Sequence, residues 1–297
     1  MIRAKHLFSL LAACCFSTAV IWPREIAPIV STDWLAQNLS NSKLILLDIR
    51  SAEQYKKGHI PGALSAPLSM WAPDANGLTL ELPPEQSLRD LIGKLGISRD
   101  GSSAIVVIGR TETDFGRADP TRVAWTCMVA GLKNVAVLDG GYTKWARENK
   151  VKSTDAVVPK PVLFSGALNP SLVASKSYVS GKIGKSIIVD CRVPEEYFGI
   201  TAKPGHIKSA VNLPTPWIFT SDGIFKSEED LRAMASGVLG SNTSKEVILY
   251  CGVGGYAATW WYVLTQVFGY TNVRVYDGSM EEWLKAPNAP VTTYSWH

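Results

Sequence analysis

The sequence predicts an α/β protein of two tandem domains, each a mainly parallel sheet flanked by helices. Three observations lead to this fold class: the length of 297 residues, a pattern that occurs twice, and short apolar runs that alternate with amphipathic segments. A chain of this length suits two ordinary domains better than one. Short continuous apolar runs between turn signals are typical of strands buried on both faces, as in a parallel sheet.

An internal duplication is the strongest of these observations. LILLDIRSAEQYKKGHIPGALSAPL (44–68) reappears as SIIVDCRVPEEYFGITAKPGHIKSAVNLP (186–214), and both segments contain Asp-x-Arg followed by Gly-His-Ile. The order of landmarks continues with AIVVIG and EVILYC, GLKNV and GYTNV, and VLDGGYTKW and VYDGSMEEW. This repetition indicates two copies of one structural unit. We predict a first domain at 29–147, a polar, proline-bearing linker at 148–163, and a second domain at 164–297.

Strands and helices alternate within each copy. The predicted strands are ILLD, IVVI and VAVLD in the first domain and IIVD, VILY and VRVYD in the second. Between them, SLRDLIGKLGI (87–97) and SEEDLRAMASGVL (227–239) carry apolar residues at helical spacing. Ser227, followed by two glutamates, predicts a helix start, because serine caps helices and acids favour the first turn.

The composition is that of a globular protein, with 46% hydrophobic and 19% charged residues. The formal net charge is +4, and the sequence contains no block of lysine or arginine. We therefore expect no nucleic-acid partner and no polybasic membrane patch.

Residues 1–22 have the layout of an export signal. A short basic start, MIRAKH, precedes an uncharged stretch from Leu7 to Trp22. Cleavage after Ala19 and lipidation of Cys14 as a bacterial lipoprotein are both open, as are an uncleaved anchor and a buried first helix. We expect an exported protein of the periplasm or cell envelope, attached to a membrane, if at all, through its N-terminus.

The stretch VILYCGVGGYAATWW (247–261) carries the candidate chemistry. An apolar run ends at Cys251, and three glycines follow within four positions. Glycine permits positive φ, so successive N–H groups can turn toward one centre, and the helix expected near Ala257 adds partial positive charge. Both effects lower a cysteine pKa, although a free cysteine can also be a small buried apolar residue. The predicted site is Cys251 as nucleophile, with Gly252, Val253, Gly254, Gly255, Tyr256 and Ala257 as its binding loop.

The repeated pattern resembles the rhodanese (sulfurtransferase) family in its tandem form, from about Ile29 to the end of the chain. The marks are Asp-x-Arg with a downstream Gly-His-Ile in both halves, the strand-end cysteine in the second half, and the Asp-Gly-x-x-x-x-Trp that closes each half. Tandem members carry one working site, in the second domain, and the first domain walls the cleft. This sequence agrees, because Gly109 matches Cys251. We expect the polar insert at 110–122 either to lie over the cleft or to be an ordinary surface loop.

The resemblance implies the reaction. Cys251 takes a sulfane sulfur from a small donor, holds it as a persulfide, and passes it to a thiol or cyanide-like acceptor. No metal or organic cofactor is implied, and no Cys-x-x-Cys or His/Cys cluster suggests one. The donor stays open among thiosulfate, mercaptopyruvate, polysulfide and a partner's thiol-bound sulfur. The loop has no cationic residue, and Glu196 would repel an anion.

Several residues around the loop need a role. Trp217 and Lys203 are further candidates for substrate binding, as an aromatic that follows the second Gly-His-Ile and as a nearby cation. Asp190, Arg192 and His206 recur in the first copy, so we expect them to be structural and near the site. Cys191, whose counterpart is an isoleucine, is either a resolving thiol or simply buried.

Two other functions compete with sulfur transfer. A non-catalytic module on the same scaffold would bind a partner or a sulfur species. A phosphatase-like activity would need a Cys-x5-Arg loop, but residue 257 is Ala, so we reject it.

Overall fold

The computed structural model describes residues 24–99, 103–201 and 204–296. These residues form two five-stranded parallel sheets, each flanked by helices, and one two-stranded antiparallel sheet, which confirms the predicted fold class. The predicted export segment at 1–22 and the candidate Lys203 lie outside the described residues. Within the described ranges, no helix combines the length and apolar character needed to span a bilayer.

The first domain is built on the strand order β1-β5-β4-β2-β3. Its strands are β1 (Ile29–Val30), β2 (Leu44–Asp48), β3 (Leu64–Ser65), β4 (Ala104–Ile108) and β5 (Val135–Leu138). Its helices are α1 (Thr32–Asn38), α2 (Ala52–Lys57), α3 (Leu68–Trp71), α4 (Glu85–Lys94), α5 (Asp114–Val129) and α6 (Gly141–Arg147).

The second domain repeats this topology as β6-β11-β10-β7-β9. Its strands are β6 (Val173–Ala174), β7 (Ile187–Asp190), β8 (His206–Ile207), β9 (Val211–Asn212), β10 (Val247–Tyr250), β11 (Val273–Tyr276) and β12 (Val291–Thr292), with β8 and β12 as the antiparallel pair. Its helices are α7 (Lys176–Lys182), α8 (Pro194–Tyr197), α9 (Glu228–Leu239), α10 (Gly255–Tyr262) and α11 (Ser279–Trp283), with 3₁₀ turns at Pro170–Leu172 and Thr215–Ile218 and a π-helical turn at Val263–Val267.

The predicted strands and the predicted helix cap are present in the structure. All six apolar runs are strands, and every residue of the central strands β4 and β10 is buried. Ser227 caps α9 by accepting a hydrogen bond from the Asp230 N–H at 3.1 Å. The helix after Cys251 begins at Gly255, two residues before the predicted start.

Helices α5 and α10 follow the central strands of their domains and pack against each other to join the two sheets. Their apolar residues belong to one continuous core that includes Trp125 and Trp260, both fully buried. The hydroxyls of Thr121 and Thr259 hydrogen-bond across this contact at 2.8 Å. The middles of α5 and α10 are therefore in contact, and the candidate loop lies just before the start of α10.

Candidate active site

The backbone of Cys251 is fixed at the carboxyl end of the central strand β10. The Cys251 N–H donates to the Ser279 hydroxyl at 3.1 Å, and that hydroxyl donates to the Tyr276 carbonyl at 2.9 Å. The first amides of α11 complete the attachment, because Met280 N–H donates to the Cys251 carbonyl and Glu281 N–H to the Gly252 carbonyl, both at 3.0 Å. Ser279, whose role the sequence does not reveal, thus orients the peptide unit of Cys251.

The loop turns its backbone amides toward the cysteine sulfur, as the sequence predicts. The Gly254 N–H donates to Cys251 Sγ at 3.1 Å. The amides of Val253, Tyr256 and Ala257 also act on the sulfur and lower its pKa. Four N–H groups that converge on one atom form a cradle for negative charge.

The three loop glycines do not share one function. Gly254 has φ +84, and a Cβ there would lie 2.8 Å from the Asp277 carbonyl oxygen and 2.9 Å from an Arg122 nitrogen. A Cβ on Gly255 would make an ordinary 3.6 Å contact with Leu80, and one on Gly252 would meet no described atom within 4 Å. Only Gly254, of the loop glycines in the described chain, is required by backbone geometry.

The expected low pKa of Cys251 is wrong. Cys251 is 1% exposed, and burial raises its pKa more than the four amides lower it. The sequence predicts the amides but not the burial of the sulfur, because burial depends on tertiary packing. The cradle reduces the cost of a buried charged sulfur without overcoming it.

An aromatic pair from the two domains covers the site. Phe115, on the first turn of α5, stacks on Tyr256 with ring centroids 4.6 Å apart. Phe115 is 53% exposed and Tyr256 7% exposed, so Phe115 faces solvent above the loop. The insert at 110–122 therefore lies over the loop, and much of it is helix rather than surface loop.

The charges beside this pair are mainly negative. Burial raises the pKa of the Tyr256 hydroxyl, and the charges of Asp114, Cys251 and Glu196 raise it further, whereas Arg117 lowers it. Arg117 donates to Asp114 at 2.9 Å and to the carbonyls of Thr111 and Ser221 at 3.0 and 3.2 Å. Its donors are thus engaged by protein oxygens.

A buried ion pair supports the loop from beneath. Arg122, on α5, pairs with Asp277 and also donates to the Leu80 carbonyl. Asp277 accepts from the Leu82 N–H at 2.8 Å, so three segments meet at this carboxylate. Because Gly254 lies against both charged groups, the pair fixes the position of the loop.

The predicted structural residues hold the neighbouring turn. Arg192 pairs with Asp190 at 2.6 Å and donates to the Gly205 carbonyl at 2.7 Å. His206 stacks on Tyr197 at 3.8 Å, and burial lowers its pKa. The same arrangement recurs in the first domain, where Arg50 pairs with Asp48 at 2.6 Å. Both copies thus keep this turn.

Two remaining candidates differ in position. Cys191 is fully buried beside Cys251, at the end of the adjacent strand. Trp217 is 51% exposed on the turn Thr215–Ile218. The hydroxyl of Thr215 donates to the Tyr256 carbonyl at 2.8 Å, but among the described residues no hydrogen bond or ring stacking joins the Trp217 side chain to the loop.

The first domain cannot hold an equivalent nucleophile. A Cβ on Gly109, the counterpart of Cys251, would lie 2.6 Å from Pro120 Cγ. The proline ring thus occupies the space that a side chain at position 109 would need.

Comparisons with known proteins agree with this geometry. The Rhodanese-like domain family matches residues 31–148 and 175–286. A thiosulfate sulfurtransferase of Bos taurus is 31% identical, over 87% of this chain and 93% of its own length. A putative thiosulfate sulfurtransferase of Mycolicibacterium smegmatis is 30% identical, over 89% and 96%. The structure of a 3-mercaptopyruvate sulfotransferase from Escherichia coli superposes with a TM-score of 0.70 at 25% identity, over 86% of this chain and 99% of that one.

Proposed function

The chain belongs to the rhodanese family, a family of sulfurtransferases, and on that premise we propose that it is an exported enzyme that carries sulfane sulfur as a persulfide on Cys251. One observation carries the proposal: four backbone amides converge on a sulfur at the carboxyl end of the central strand. Ligands of parallel α/β sheets bind at such strand ends.

The cradle supports both half-reactions. The Cys251 thiolate attacks the sulfane sulfur of a donor, the donor's remaining group leaves with the bonding electron pair, and the persulfide forms. An acceptor nucleophile then attacks the outer sulfur, and the Cys251 thiolate leaves. The amides of the loop stabilise the thiolate at the start and end of this cycle, when the charge is on Sγ.

The charges at the mouth favour a donor of low negative charge. The charges of Asp114 and Glu196 both raise the pKa of the Tyr256 hydroxyl, while Arg117 donates its hydrogen bonds to protein oxygens. We therefore place a thiol-bound sulfane sulfur, on a small molecule or a partner, ahead of thiosulfate and mercaptopyruvate. A dianion would meet like charge without a free counter-ion among the described residues near Tyr256.

Mass spectrometry of the intact protein tests the reaction class. The protein is mixed with thiosulfate, mercaptopyruvate, polysulfide or a low-molecular-weight thiol persulfide, then desalted. We expect one added sulfur on the Cys251 peptide and its transfer to cyanide or a thiol, with Cys251→Ser as the control. A protein that gains no sulfur from any of the four donors would refute the proposal.

The burial of Cys251 favours a second candidate function. Because Cys251 is 1% exposed and its pKa is raised, a non-catalytic module that binds a partner or a sulfur species is the alternative. Turnover separates the two: a binding module holds sulfur species without releasing product to an acceptor.

Export rests on the layout of residues 1–22. The mass of the mature N-terminus from bacterial cells tests it. Cleavage after Ala19 would give a soluble periplasmic form, and a lipidated Cys14 an envelope-anchored one. An intact N-terminal methionine in a cytoplasmic fraction would contradict export.

A further inference from the structure

Cys191 and Cys251 occupy neighbouring positions at the ends of adjacent strands. Strands β7 and β10 are parallel, with Asp190 opposite Tyr250, and the Cys191 N–H donates to the Tyr250 carbonyl at 2.8 Å. The two cysteines are therefore the next pair in register. Neighbouring strands lie about 4.8 Å apart, and disulfides form at Cα separations of roughly 4.4–6.8 Å. The backbone spacing suits a disulfide.

The two side chains also leave the sheet on the same face. Tyr250 donates its hydroxyl to Asp190 at 2.9 Å, so this pair shares one face. Side chains alternate along a strand, which sends the next residue of each strand to the opposite face. Cys191 and Cys251 accordingly belong to the same buried cluster. Burial raises the pKa of Cys191, and the negative charge of Cys251 raises it further, as expected for adjacent sulfurs.

In the sequence, only the second domain has this pair of cysteines. The matching residues of the first domain are Ile49 and Gly109, although both copies keep the same Asp-x-Arg turn. The scaffold therefore does not demand a thiol at position 191. The other described cysteine, Cys127, lies within α5 and is also buried.

We propose that Cys191 is a resolving thiol that releases the sulfur held on Cys251 as hydrogen sulfide, an inference that rests on the proposed persulfide. The Cys191 sulfur attacks Sγ of Cys251, and a Cys191–Cys251 bond forms while the bond from Sγ to the outer sulfur breaks. The outer sulfur leaves as HS⁻, taking the electron pair and the proton of the Cys191 thiol. The sulfane sulfur is reduced, and the two cysteines are oxidised to a disulfide.

This reaction gives the site a second outcome. In the presence of an acceptor, sulfur passes to the acceptor and Cys251 is regenerated. In its absence, Cys191 discharges the persulfide, and an external thiol must reduce the disulfide before the next cycle. Because burial raises the pKa of Cys191, little of it is thiolate, and we expect discharge to be slower than transfer to an abundant acceptor.

The test follows the fate of loaded sulfur without oxygen or acceptor. Wild type, Cys191→Ser and Cys127→Ser are loaded with polysulfide, desalted, and sampled over time for intact mass, released sulfide and disulfide-linked peptides. In wild type and Cys127→Ser, we expect the added sulfur to disappear as one equivalent of sulfide and a 191–251 disulfide appear. In Cys191→Ser, we expect the persulfide to last several-fold longer and to transfer normally to added cyanide.

Each outcome has a distinct meaning. Equal persulfide lifetimes in wild type and Cys191→Ser, or sulfide release without the disulfide peptide, would overturn the inference while leaving the proposed function intact. Absence of added sulfur in all three proteins, with polysulfide and with each of the other three donors, would overturn the proposed function, and the inference with it. Peptide mapping of the wild-type protein tests for the disulfide directly and does not depend on the folding of a variant.

Discussion

The substitution Gly254→Ala tests the geometry of the sulfur cradle. A methyl group at this position would lie 2.8 Å from the Asp277 carbonyl oxygen and 2.9 Å from Arg122, and the residue would keep φ near +84. Left-handed backbone costs a non-glycine residue about 1–2 kcal/mol, and overpacking costs about 1–3 kcal/mol more. We therefore expect a loss of about 2–5 kcal/mol in unfolding free energy, or a displaced loop.

A displaced loop would also withdraw the N–H that donates to Cys251 Sγ. Loss of one such donor at an oxyanion site lowers kcat on the order of 10²-fold, and we expect a similar loss in sulfur transfer. Gly252→Ala is the matched control, because its methyl group would meet no described atom within 4 Å. Denaturant unfolding and single-turnover persulfide formation would be measured for both. Equal stability and rate in the two variants would refute the assigned role of Gly254.

Three further predictions concern the charges around the loop. Glu196→Gln should raise kcat/KM for thiosulfate several-fold at low salt, since like charges in water repel by about 1 kcal/mol at 4 Å. Added salt should remove this gain by screening the charges. No gain at low salt would show that the Glu196 carboxylate does not repel the donor. Arg122→Met should cost about 3–5 kcal/mol in denaturant unfolding, because Asp277 would be left buried without its partner, and Arg89→Met at an exposed pair is the control. Burial, and after it the charge of Asp277, raises the pKa of Glu81 from 4.5 to about 7. The stabilising contribution of Glu81 is therefore complete below pH 4.5 and is lost as the pH rises through about 7. Glu81→Gln should make the unfolding free energy less dependent on pH across that window, and an unchanged pH profile would contradict this.

The sequence was sufficient for the features that depend on local pattern. The six buried strands follow from short apolar runs, and the shared role of Asp190 and Arg192 follows from their recurrence in both copies. The convergent amides around Cys251 were predictable as well, because a glycine-rich turn between a strand end and a helix leaves few other directions for its N–H groups.

The errors arise where the two domains meet. The pKa of Cys251 depends on its burial, which is a property of tertiary packing; at this site α5 packs against α10, and Phe115 stacks on Tyr256. The polar residues of the insert at 110–122 left an ordinary surface loop open beside a position over the cleft, and helix α5 in fact begins within it, at Asp114. Thr113, which caps this helix by accepting from the Gly116 N–H at 3.0 Å, was the local signal for it.

Helix α5 connects the absence of a nucleophile in the first domain to the shape of the site in the second. Pro120 fills the space beside Gly109, so the first copy leaves no room for a sulfur at its own strand end. On the same helix, Phe115 covers Tyr256 and Arg122 holds the carboxylate beneath Gly254. Introducing a cysteine at Gly109 would require moving Pro120, and a shift of α5 would displace both Phe115 and Arg122 from their contacts beside Cys251. The site proposed on Cys251 of the second domain therefore depends on packing from both domains.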